Sequence, residues 1–298
     1  MIRPHYFSPN PETASDNAFQ SKEGQYDAEE IAQKAYNEVT AAAQTLEQHG
    51  IRVHLFDDET TLTPDSVFPN NWFSTHAGGH VALYPMYAKN RRLERRYDII
   101  ELLKSRYRVQ DVIDYSGLEY DGLYLEGTGA MVIDHLERVV YAIQSNRTNP
   151  VLLERFCTHF NFEPMVFNAQ DPLGADIYHT NVLMCIATDF VMIGLDMIKN
   201  SARRAEIVER LEQSDRDVID LSPEQISEFA GNAIELSGAS GRVLVLSKRA
   251  KASLTPDQLQ RIEKSCEVLA LDVGTLELAG GSIRCMLAGV HLSRREFK

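Results

Sequence analysis

A glycine-led thiol, in Gly280-Gly281-Ser282-Ile283-Arg284-Cys285-Met286, has the strongest claim in this chain to nucleophilic chemistry. Thiolate is reactive near neutrality, and a nearby cation or helix N-terminus makes it more available. The glycine pair permits close ligand approach that bulkier residues forbid, and Arg284 adds positive charge next to the sulfur. Cys157, Cys185 and Cys266 read instead as small buried residues. Two polar clusters lie far upstream. His179, in Tyr178-His179-Thr180-Asn181, opens an apolar strand and offers the imidazole that a general acid and base requires. Glu126, in Leu125-Glu126-Gly127-Thr128-Gly129, borders the apolar run Ala130-Met131-Val132-Ile133. A carboxylate there needs a partner such as a guanidinium. The three groups make one site only if the fold gathers them.

The elements that must do so recur along the chain. Helical patterns occupy 27–49, 90–106, 149–160, 201–213 and 255–265, with a short additional one at 224–229. In the first, Ile31, Ala35, Val39, Ala42 and Leu46 keep helical spacing and Gly50 is placed to stop it. A short strand is predicted after each of the five: 51–56, 109–115, 162–167, 218–221 and 268–273. Hairpin patterns open at 71, 129, 181 and 232, separated by 58, 52 and 51 residues, and one more step lands near 283, beside Cys285. Five helix-strand-hairpin units therefore predict an α/β fold with a pseudo-fivefold, propeller-like repeat, in a single domain spanning 1–298. An ordinary α/β sandwich, which also alternates helices and strands, is the alternative. In a cyclic array, Phe68-Pro69-Asn70-Asn71, Glu126, His179, Asn232 and Cys285 hold nearly equivalent places and would converge.

Composition narrows the function classes. The 298 residues are 44% apolar and 24% charged, which fits a soluble globular protein. No apolar run approaches the roughly 20 residues that span a bilayer, and Met1-Ile2-Arg3-Pro4-His5 lacks the features of a signal peptide. A cytoplasmic protein is expected. A net charge of −13 disfavours nucleic acid and allows attraction of a cationic small substrate. Four cysteines without a Cys-x-x-Cys pair argue against a disulfide framework or a zinc knuckle, and no phosphate-binding glycine loop is present. Neither metal nor cofactor is expected. A homodimer would be unsurprising, although nothing in the sequence requires one. The arginine pairs Arg91-Arg92, Arg95-Arg96 and Arg203-Arg204 read as solvated helix faces.

Taken together, Phe68-Pro69-Asn70-Asn71-Trp72, Leu125-Glu126-Gly127-Thr128-Gly129, His179-Thr180-Asn181 and Gly280-Gly281-Ser282-Ile283-Arg284-Cys285-Met286 resemble the guanidino-group-modifying superfamily, the penteins. Arginine deiminases, dihydrolases and amidinotransferases belong to it. The likeness runs from Asn10-Pro11-Glu12-Thr13 to Cys285 and is strongest to citrulline-utilisation hydrolase-type proteins of the amidinotransferase group. It implies a five-bladed β/α propeller (pentein) acting without a cofactor on a small guanidino or ureido amino acid. By resemblance, Cys285 attacks the guanidino carbon, His179 protonates the departing ammonia, and Glu126 holds the guanidinium nitrogens. Water activated by His179 then hydrolyses a covalent thiouronium. Arg147 matches a segment whose arginine binds the substrate α-carboxylate, with Arg91 or Arg92 as a looser match. Phe68, Asn71, Asn181 and Asn232 complete the expected substrate-binding set.

Two departures bear on the reaction. Deiminases carry Asp where this chain has Asn71 and Asn181, and Asp65, Asp121 or Asp176 could restore the charge. Amides donate as well as accept, so they suit a neutral ureido group better than carboxylates do. The dihydrolase branch also carries Asn at the first position. The expectation is a deiminase or a dihydrolase that continues past citrulline to ornithine. The alternative is an amidinotransferase that passes the same thiol-bound group to an amine. A non-catalytic pentein binding protein fits less well, because all three catalytic positions are filled.

Overall fold

The computed structural model describes residues 1–21 and 27–296. Four sheets share one plan: an antiparallel hairpin whose second strand pairs in parallel with a third. They are β3 (Phe73–His76), β4 (His80–Leu83) and β5 (Asp111–Asp114); β6 (Met131–Asp134), β7 (Val139–Ile143) and β8 (Glu163–Phe167); β9 (Met184–Ile186), β10 (Phe190–Ile193) and β11 (Asp217–Asp220); and β12 (Ile234–Gly238), β13 (Gly241–Ser247) and β14 (Glu267–Leu271). A parallel pair needs a crossover. The helices Tyr97–Arg106, Pro150–Phe160, Ser201–Glu212 and Pro256–Glu263 supply it in turn.

The helix starts are written in the sequence. Asn149 caps one helix with Pro150 in its first turn, Asn200 caps another, and Thr255 forms a capping box with Gln258. The longest helix, Ala28–Gln48, is capped by Asp27 and buries the predicted stripe Ile31, Ala35, Val39, Ala42 and Leu46. Each fully buried Ile, Val or Leu contributes about 1.5–3 kcal/mol. Gly50, at φ +79°, turns the chain out of this helix as expected.

Three sequence expectations change. The fifth unit is not built like the others: β1 (Ile2–Pro4) and β2 (Phe56–Asp58) form a two-stranded parallel sheet, and among the described residues no hairpin follows Cys285. Beyond Met286 the chain is held by the Thr75 hydroxyl, which donates to the Gly289 carbonyl at 2.9 Å and accepts from the His291 amide at 2.8 Å, and then by an isolated antiparallel bridge between Arg294 and Tyr107. A side chain thus takes polar groups that a partner strand would otherwise use. The pairing shows an α/β fold of repeated small sheets. Second, residues 51–55 lie outside any strand, and pairing is confined to β2. Third, the helix expected over 90–106 is broken at Arg95 and Arg96, because the 3-10 turn Asn90–Glu94 points Arg91 inward.

Candidate active site

The hairpins open two or three residues later than the sequence pattern indicates, because a single helical turn precedes three of them. These turns are Pro69–Asn71, Gly127–Ala130 and Thr180–Leu183, and a fourth, Ile283–Met286, holds Cys285. The first packs against the second and the fourth, and the second against the third. Glu126 and His179 are the N-cap residues of the second and third turns. The Thr180 hydroxyl ties those two turns together, donating to the Ala130 carbonyl at 2.6 Å and accepting from the Ile143 amide at 2.8 Å. Gly129 makes the approach possible. A Cβ there would lie 2.7 Å from Asn71 Nδ2 and 2.8 Å from His179 Nδ1.

Glu126 is fully buried and is the centre of the charge network. Its Oε2 lies 2.9 Å from His179 Nε2, 3.5 Å from Arg147 Nη1 and 3.8 Å from Arg91 Nη1, while Oε1 accepts from the Tyr87 amide at 2.9 Å. Burial opposes ionisation. Arg147, the hydrogen bond to His179 and Arg91 outweigh it and hold the carboxyl well below its ordinary range. An ionised carboxylate only accepts, so His179 Nε2 carries the proton and Nδ1 keeps its lone pair. Burial pushes the His179 pKa down, against the pull of Glu126, which favours the neutral imidazole.

The sulfur faces amides. Asn181 Nδ2 donates to Cys285 Sγ at 3.1 Å and Asn232 Nδ2 at 3.3 Å. Asn232 is itself fixed, donating to the Asn181 carbonyl at 3.0 Å and accepting from the Arg284 amide at 3.0 Å. Asn181 Oδ1 is buried without a hydrogen-bond partner. Phe68 presses on the glycine pair: a Cβ at Gly281 would lie 2.7 Å from its ring.

Cys285, His179, Phe68, Asn71 and Arg147 line one cavity of about 20 Å³, together with Asp65, Arg91, Tyr178 and Asn17. That is room for about one water and far too little for an amino acid. Arg147 is held by Asp16 in a bidentate pair, at 2.9 Å and 2.6 Å, and stacks over the Tyr178 ring. Arg91 forms a similar pair with Glu94, at 2.9 Å on both contacts, and lies 3.7 Å from Asp65. Burial raises the Glu94 carboxyl to about 7 despite that arginine. Asp65 Oδ1 is buried and unpartnered.

All eight residues singled out from sequence therefore lie in one connected cluster. Of the three aspartates proposed to restore charge, only Asp65 reaches it. Asp176 bonds Gln170 at the surface, and Asp121 ends an exposed 3-10 turn. Arg91 is a correction: it is not on a solvated face but buried at 3% exposure, because three acids surround it. Asp16, Glu94 and Tyr178 escaped sequence reasoning as members of the cluster. Tyr178 directly precedes His179, which is the local signal for it; Asp16 and Glu94 have no distinguishing local pattern.

A sequence profile of the family N,N dimethylarginine dimethylhydrolase, eukaryotic, matches residues 3–292, nearly the whole chain. The chain belongs to this family. It is thereby one of the guanidino-modifying penteins, whose members here are amidine-hydrolysing or amidinotransferase-type enzymes. Three solved structures share the fold at low identity. Apo ArgZ, an arginine dihydrolase of the ornithine-ammonia cycle in Cyanobacteria, is 17% identical with a TM-score of 0.74. The match covers 96% of this chain but only 39% of ArgZ, so this chain corresponds to well under half of that protein. The N-terminal domain of an ArgZ variant, covalently bound to a reaction intermediate, is 17% identical with a TM-score of 0.72, covering 99% and 96% of the two chains. A dimethylarginine dimethylaminohydrolase variant carrying an S-methyl-L-thiocitrulline adduct is 15% identical with a TM-score of 0.64, covering 99% and 98%. No curated protein matches the sequence. The likeness to citrulline-utilisation proteins in particular finds no counterpart in these matches.

Proposed function

We propose that this chain is a cofactor-free hydrolase that cleaves C–N bonds of a guanidino or ureido amino acid, of the arginine or N-methylarginine class, through a covalent bond to Cys285. The observation that carries this reading is the one cavity that Cys285 and His179 both line, with Glu126 hydrogen-bonded to the far side of the imidazole. The charge balance supports it. Among the described residues four acids, Asp16, Asp65, Glu94 and Glu126, stand around two guanidiniums, Arg91 and Arg147; burial favours the protonated forms of Asp65 and Glu94, which a cationic substrate beside them would reverse. The unpartnered oxygens Asp65 Oδ1 and Asn181 Oδ1 are acceptors suited to substrate N–H groups.

In the first half-reaction the thiol proton passes to His179 Nδ1 and Sγ attacks the guanidino carbon. The imidazolium then protonates the leaving amine, whose C–N bond breaks to leave a thiouronium on Cys285. The Asn181 and Asn232 amides stabilise the thiolate before attack. In the second half-reaction water gives its proton to His179 and adds to the same carbon. Collapse expels the sulfur and yields a ureido product. With amides at 71 and 181, that product can itself be bound and hydrolysed, which from arginine gives ornithine and releases a second ammonia together with carbon dioxide. Arg147 binds the substrate α-carboxylate, which requires Asp16 to release it. We also take residues 1–298 as one domain whose five units close around this site as a propeller. The four unpaired cysteines support a reducing compartment.

The decisive experiment is a substrate panel (arginine, citrulline, agmatine, methylarginines) scored for ammonia, methylamines and product mass, with and without glycine or ornithine as acceptor. Two ammonia and ornithine from arginine supports the dihydrolase form, and a fixed ratio of one removes it. Amidino transfer to an acceptor would overturn the hydrolase reading.

A further inference from the structure

Beyond the reaction site, a second cavity of about 130 Å³ runs along the first strands of the hairpins, β3, β6, β9 and β12, and the segment after Met286. It shares no lining residue with the cavity at Cys285. Among its lining residues Arg284 is the cation and Glu235 the carboxylate. Arg284 lines it, partly buried, and its guanidinium makes one hydrogen bond, from Nη1 to the Leu287 carbonyl at 3.0 Å. Burial opposes its charge, and the groups that favour that charge are the thiols of Cys285 and Cys185 rather than any carboxylate. A guanidinium so placed calls for a counter-ion.

Three histidines converge on the same space. His76 is buried, with Nε2 at 2.7 Å from the Ser74 hydroxyl and Nδ1 without any partner. His135 and His291 stand at the mouth with ring centroids 4.3 Å apart. Two carboxylates are close by. Asp134 is paired with Arg216, whereas Glu235 itself lines the cavity: one oxygen accepts from the Thr188 amide and hydroxyl, and the other is buried without a hydrogen bond, 3.9 Å from Arg242. Burial, then the cations nearby, hold His135 down to about 4, and burial chiefly holds His76 down to about 3. Near neutrality each imidazole is therefore neutral, with one N–H to donate.

We propose that this cavity is a binding site for a small oxyanion of the phosphate or carboxylate type, with Arg284 as counter-charge and His135 and His291 as donors at its mouth. The volume is that of about four waters, enough for phosphate and too small for a nucleotide. A divalent metal fits poorly. It would face the Arg284 charge, and no three His, Cys, Asp or Glu groups are arranged to hold one among the described residues.

The test titrates inorganic phosphate, and separately acetate, into the full chain by calorimetry while histidine ring protons are followed by NMR. Saturable binding of one anion per chain is expected. The His135 and His291 resonances should move with it, and their pKa values should rise, because a bound anion favours the imidazolium. Tighter phosphate than acetate would identify phosphate chemistry, and the reverse a carboxylate ligand. Arg284→Met should weaken binding at least tenfold. The double variant His135→Ala/His291→Ala, at the cavity mouth, provides the same loss should the arginine variant fail to fold. Arg147→Lys, in the other cavity, should leave binding unchanged. Absence of saturable binding overturns the proposal. So does binding that survives both Arg284→Met and the double variant, or that is lost with Arg147→Lys, which would place the anion beside Cys285.

Discussion

Cys285 and Cys185 are both buried, at 3% and 4% exposure, yet they sit in opposite environments. Cys285 occupies a one-turn helix against an acid-rich cavity and receives two amide hydrogen bonds. Cys185 is in strand β9, packed in the largest apolar cluster, and burial pushes its thiol up to about 12. Cys157 is pushed up to about 12 for the same reason. Burial alone makes a thiol inert. Donors and an adjoining base are what separate a nucleophile from a core residue.

Serine substitution should break the comparison most sharply. Cys285→Ser removes the attacking sulfur, and turnover should fall by roughly 10⁴-fold or more. Cys185→Ser should leave kcat within a few-fold of the parent while lowering stability by about 1–3 kcal/mol, the cost of burying an unpaired hydroxyl. Steady-state rates and denaturant midpoints measure both. Equal losses of activity would mean that the two sulfurs are not functionally distinct.

Next in size is Glu126→Gln. It keeps the shape but removes the charge that orients His179 and balances Arg147 and Arg91, so kcat should fall by roughly 10²- to 10⁴-fold, the range of general acid–base contributions. The pH dependence of stability should change with it. The folded-state pKa of Glu126 lies below its unfolded value, so its contribution is full above about 4.3 and is lost as pH falls through the folded pKa. The variant should therefore show a shallower loss of stability on the acid side. An unchanged acid limb would mean that Glu126 is not held in its ionised form by these neighbours.

The amide donors can be tested directly. Asn232→Ala removes one hydrogen bond to the sulfur and loosens Asn181, and alkylation of Cys285 by iodoacetamide should slow by about 10- to 100-fold, as for a bond to a charged group. Alkylation at the parent rate would assign Asn232 to backbone positioning alone.

Much of this contrast was legible in the sequence, though not evenly. The caps, the apolar stripes and the hairpin spacing follow from local chemistry, and they place Glu126, His179 and Cys285 at corresponding turns. The single helical turns before the hairpins were hidden, because Ala130-Met131 and Val182-Leu183 serve a buried turn as well as a strand. The fifth sheet departs from the repeat through a long-range contact, the Thr75 hydroxyl on Gly289 and His291, which no local pattern encodes. Arg91 illustrates the same limit. A doublet of arginines reads as surface until the fold places Asp65, Glu94 and Glu126 around one member.

The smallest expected effect sharpens the comparison of the two cavities. The one beside Cys285 is small, with its cation Arg147 bound to Asp16, whereas the one beside Cys185 is larger and its cation Arg284 bonds a backbone carbonyl rather than a carboxylate. If Arg147 receives the substrate carboxylate, Asp16 competes with substrate for the same guanidinium. Asp16→Asn weakens that competitor while keeping its size. KM for an α-carboxylate substrate should then fall, by about 3- to 10-fold for the loss of one partly exposed ion pair, at nearly constant kcat. Agmatine, which lacks the carboxylate, should show a much smaller change. A rise in KM for both substrates would instead make Asp16 a support that holds Arg147 in place, and the small cavity would need another way to widen.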